Sequence, residues 1–108
     1  MDSDASAAFS KKIKDAVANQ DLDMLGDLAS YPLYIGFTDG SKFINSKEEL
    51  MELGVEKIFT PELMDSIESA DENSLSPSMA GFSLHADNGP NIVFGVVNGE
   101  LAIQGMNY

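Results

Sequence analysis

The sequence predicts an α+β fold, with N-terminal helices packed on one antiparallel sheet. Three observations lead there. Apolar residues recur at helical spacing from Phe9 to Ala29. Asp39-Gly40 and Asn98-Gly99 are hairpin turn signals, each flanked by runs of β-branched and aromatic residues. From Ala80 onward the chain reads as strand, turn, strand, turn, strand, a meander without helical spacing.

The elements follow in order. Phe9, Ile13, Ala16 and Val17 form the apolar stripe of a first helix from Ser6 to Gln20. Asp21 is placed to cap a second, short helix whose buried positions are Leu22, Leu25, Leu28 and Ala29. In "SYPLYIGF", Pro32 stops the helix and opens a strand, where its missing N–H costs no ladder bond. Alternation then sets Leu33, Ile35 and Phe37 on one face, with Tyr34 and Thr38 on the other. "KFIN" returns as the second strand.

Ser46 and Glu49 have capping-box spacing, opening a third helix through Leu50, Met51, Val55, Ile58 and Phe59. Gly54 within it costs about 1 kcal/mol relative to alanine. Thr60-Pro61 marks a fourth helix start, with Leu63, Met64 and Ile67 facing inward. "SADENSLSPS" reads as a polar loop. Strands are expected near Ala80–Ala86, Asn91–Val97 and Glu100–Asn107, turning at Asn88-Gly89-Pro90 and Asn98-Gly99. The expected order is α-α-β-β-α-α-β-β-β, in a single domain spanning residues 1–108.

Composition narrows the function. The chain has 44% hydrophobic residues, as a globular protein does. Eighteen acids against six lysines, with no arginine, give a net charge of −12, and every lysine lies at or before Lys57. Such a field repels phosphate backbones and anionic lipid, so neither nucleic acid nor a membrane is an expected partner. It suits a basic protein partner instead. No cysteine is present, which excludes disulfide and thiol chemistry. The opening "MDSDASAAFSKK" has neither the basic nor the apolar region of a secretory leader, so a cytoplasmic protein is expected.

Few residues point to catalysis. "GFTDGSK" lacks the spacing of a phosphate-binding loop and lies between strands. "DEN" at Asp71–Asn73 lacks the further oxygen ligands and glycine of a calcium loop. One histidine and no cysteine assemble no nitrogen–sulfur metal site, so no metal or cofactor is expected. Histidine is the residue type whose ordinary pKa lies near neutrality, so His85 is the one candidate general base.

"SYPLYI", "INSKEEL" and "IFTPEL", together with the element order, resemble the nuclear transport factor 2-like superfamily of cystatin-like folds, in particular its small bacterial members of uncharacterised function. The resemblance implies a curved, cone-like sheet around the helices, with a ligand cavity at its open end and dimers formed through the sheet. The leading expectation is therefore a binding or interaction domain that holds a small apolar molecule or a peptide. Phe37, Phe59 and Phe94 are expected to line that cavity, with Tyr34, His85 and Gln104 as its polar groups. A first alternative is an isomerase, cyclase or dehydratase using His85 as base and Tyr34 as donor. A second is an acidic, immunity-type inhibitor of a basic protein.

The last strands carry one more expectation. In "NIVFGVV", Ile92, Phe94 and Val96 oppose Val93 and Val97; in "LAIQGMNY", Ala102 and Met106 oppose Leu101 and Ile103. A strand apolar on both faces is covered on both, and a two-fold homodimer through the sheet is the economical cover. Sedimentation in ~0.15 M salt, where charge is screened over about 8 Å, should give a dimer at micromolar concentration. A monomer would refute it.

Overall fold

A computed structural model describes residues 3–70, 76–78, 81–84 and 89–108. His85, Asp71–Asn73, Asn88 and the outer ends of the strand expected at Ala80–Ala86 lie outside the described residues.

Helix α1 spans Ser3–Ala18 and α2 spans Leu22–Leu28. Phe9, Ile13, Ala16 and Val17 are buried, as their spacing requires. Asp21 caps α2 by accepting the Met24 N–H at 3.1 Å. Strands β1 (Ala29–Phe37) and β2 (Gly40–Ile44) form the first hairpin. Its turn falls one residue earlier than expected, at Thr38-Asp39, because Phe37 pairs with Gly40. Leu33 and Ile35 are buried beneath the helices, and their faces match the sequence reading.

The expected third helix is broken. Gly54 has φ +89°, outside helical geometry, so α3 ends at Leu53 (Lys47–Leu53) and a single turn, α4, follows (Val55–Ile58). Ser46 caps α3 by accepting the Glu49 N–H at 3.2 Å. The returning Glu49 carboxylate accepts from Asn45, one residue before the cap itself. Helix α5 (Pro61–Ser69) begins at the Thr60 cap, whose hydroxyl oxygen accepts the Leu63 N–H at 3.2 Å. Lys47 closes α3 onto α2 through Asp23 at 2.6 Å and Asp27 at 2.7 Å. These two carboxylates, Asp23 foremost, hold its ammonium well above the usual lysine range.

The remaining strands are β3 (Ser76–Ser78), β4 (Gly81–Leu84), β5 (Asn91–Val97) and β6 (Glu100–Asn107). Strand β3 lies where a loop was expected, as an outer partner of β4. The helices pack on one curved, unclosed sheet, ordered β2-β1-β6-β5-β4-β3. The sheet is mixed rather than wholly antiparallel. The β1–β6 pairing is parallel, with Ile35 opposite Met106, while the other pairings are antiparallel.

A bulge in β6 corrects the expected faces of the last strand. Val93 pairs with Gly105 and Phe94 with Ile103, leaving Gln104 as the extra residue. Met106 therefore shares the helix-covered face with Ile103, and both are fully buried. Phe94 is the largest fully buried side chain of this core, packed between Phe9 at 5.1 Å and Phe82 at 5.6 Å.

The β5–β6 turn depends on its backbone hand, with Asn98 at φ +54° and Gly99 at φ +86°. A Cβ at Gly99 would meet nothing within 4 Å, so a substitution there tests conformation alone. Gly99→Val should destabilise the fold by about 1–3 kcal/mol in denaturant titration; an unchanged midpoint would contradict the turn assignment.

Candidate functional site

Three segments converge at the end of the sheet where β1 stops. Phe37 ends β1 on the helix-covered face, α4 crosses nearby, and Tyr108 follows β6. Two hydrogen bonds fasten them together. The Tyr108 N–H donates to Gly36 O at 2.8 Å, extending the parallel ladder by one bond. The Tyr108 hydroxyl donates to Ile58 O at 2.7 Å, at the carbonyl end of α4. Carbonyls at a helix end have no partner within the helix, so the phenol serves as a long-range cap. Ser66 of α5 donates to Pro90 O at 2.6 Å and brings the start of β5 to the same place.

These segments border an open cleft of about 580 Å³ lined by Phe37, Thr38, Asp39, Glu56, Lys57, Thr60, Glu62, Pro90 and Tyr108. That size suits a small ligand or one side chain of a partner. Phe37 and Tyr108 form its aromatic wall, stacked with centroids 5.2 Å apart and planes at 25°. The Lys57 ammonium sits 4.7 Å from the Phe37 ring centre, in cation–π range. Asp39, Glu56 and Glu62 set three carboxylates against that one cation. Among the described residues, no group of three or more histidines and acids is arranged to hold a metal ion.

Of the expected site residues that are described, Phe37 alone lines this cavity. Phe59 and Phe94 belong to the buried core, packed among the apolar side chains beneath the sheet. Tyr34 stands on the opposite face of the sheet, against Gly36 and Gly105 and 5.5 Å from Phe43. Gln104 sits at the β6 bulge, with its Oε1 buried and without a hydrogen-bond partner. His85 lies outside the described residues. Lys57, Thr60 and Tyr108 were missed because their neighbourhood is made by α4 crossing the sheet end, which no local spacing encodes. The available signal was Tyr108 itself, an aromatic residue just beyond an apolar strand.

Burial raises the Tyr108 phenol above its ordinary value near 10. Burial also raises Tyr31, whose hydroxyl donates to Gly26 O at 2.9 Å. An unfolded chain ionises these phenols above about pH 10 while the folded chain keeps their protons, so stability should fall as pH rises past that point. Tyr108→Phe should flatten this loss in alkaline denaturant melts, and cost about 0.5–1.5 kcal/mol at neutral pH. An alkaline limb unchanged by the substitution would contradict a buried, donating Tyr108.

No family model matches the chain, and no curated protein matches it. Among solved structures, the chain is similar to one described as "Rd1NTF2_05 with long sheet". That similarity has 20% identity and a TM-score of 0.43 over 91% of this chain and 90% of the other. The chain is thus similar to a protein bearing the NTF2 name, and no family assignment or activity follows from that likeness.

Proposed function

We propose that this protein is a small binding domain that receives an apolar group, from a small molecule or a peptide, in the cavity at the end of β1. The observation that carries the reading is the stacked Phe37–Tyr108 wall bordering a concavity of about 580 Å³. Stacked rings offer a flat apolar surface, and Tyr108 is held in place by bonds at both its backbone and its hydroxyl. The enzymatic alternative would use His85 as base, with Tyr34 as donor. Tyr34 stands on the far face of the sheet from this cavity, which favours binding over catalysis here.

The same reading includes a second copy of the chain against the outer face of the sheet. Val93, Gly95, Ala102, Gly105 and Tyr34 lie on that face by their registers. Phe43 beside them is 59% exposed. Small residues let two such faces approach closely, and no acid lies between Asn91 and Val97 to repel the approach.

Titration with indole, followed by amide chemical shifts, tests the cavity. Shifts should centre on Phe37, Lys57, Thr60 and Tyr108, and Phe37→Ala should weaken binding by about tenfold, or ~1.4 kcal/mol. Indole shifts confined to the outer sheet face would refute the site.

A further inference from the structure

We infer that the Lys57 ammonium occupies the seat of a partner's lysine, so that the cavity binds a basic polypeptide by exchanging its own cation for an incoming one. This rests on the reading of the cavity as a binding site.

The geometry at Phe37 supplies the first reason. An aromatic face attracts a cation through its quadrupole, and here that attraction is already met from within, at 4.7 Å. Lys57 is an exposed residue of a single-turn helix. An exposed contact of this kind is worth only about 0.5–1 kcal/mol, so the seat can be vacated. The lining supplies the second reason. Among the described lining residues, the charged groups other than Lys57 are Asp39, Glu56 and Glu62, all carboxylates. A neutral ligand gains nothing from them and an anion is repelled, whereas a cation is drawn by ring and carboxylates together. A lysine also brings an apolar stem, which can lie along the Phe37–Tyr108 wall while its head reaches the acids.

The whole molecule supplies the third reason. A net charge of −12 steers a basic polypeptide over long range, in proportion to the charges it carries. A free monoamine has the same head group but gains only one charge's worth of steering. The occupant is therefore a lysine within a basic segment.

Calorimetric titration with a Gly-Ser peptide carrying several lysines, its counterpart with norleucine at each of those positions, and butylammonium tests this. Lys57→Gln should tighten the lysine peptide by about fivefold, and by clearly more than it tightens the norleucine peptide. Lys11→Gln removes the same charge from α1 and should change neither. Phe37→Leu in the Lys57→Gln background should abolish the gain. The peptide should also bind more tightly than butylammonium. Equal affinity of wild type and Lys57→Gln, or a preference for norleucine, would overturn the exchange while leaving an apolar binding site. Butylammonium matching the peptide would overturn the polypeptide partner. If neither these probes nor indole reached the cavity, the exchange and the binding reading would fall together.

Discussion

The parallel pairing of β1 with β6 is the constraint on which the rest of the structure depends. It joins the first hairpin to the C-terminal meander, so that two locally formed units become one sheet. Ile35, Met106 and Ile92 lie side by side across it and are fully buried. The helices cover a continuous apolar surface only because this row is continuous. Residues so far apart in sequence must close a long loop before their contacts offset its entropy. Among the strand pairings of the sheet, this junction therefore carries the largest loop-closure cost.

What the sequence disclosed was local. Helix caps at Asp21, Ser46 and Thr60 were legible because a short polar side chain before an apolar run has one favourable use there. The Asn98-Gly99 turn was legible because both residues tolerate positive φ. The parallel partner of β1 was not, since an apolar alternating strand pairs equally well in either direction. Nor was the bulge at Gln104, which shifts the faces of β6 by one residue and leaves no mark in composition. The candidate site suffered most from this. Phe59 and Phe94 looked like cavity walls because aromatic residues suit a wall and a core alike, and only packing separates the two.

Helix α4 shows how a fixed surface can be built outside the core. It has a single turn, too short to be stable alone. Gly54 frees it from α3 at one end, and the Tyr108 hydroxyl holds its carbonyl at the other. Ile58 is its one fully buried anchor. Glu56 and Lys57 are thereby carried at a fixed position beside Phe37, although neither is held by the core.

The two edges of the sheet carry a consequence of their own. An unpaired strand edge is a template for further strands, and open-ended addition of copies leads to fibrils. Here one edge is β2, five residues long and bearing Lys42 opposite Ile35. The other is β3, three residues long with Pro77 at its centre. A charged side chain interrupts stacking on the first, and an imide nitrogen with no hydrogen to donate interrupts the second. Both edges are thereby poor templates for the addition of a further strand, and edge-to-edge growth into fibrils is disfavoured at either end of the sheet.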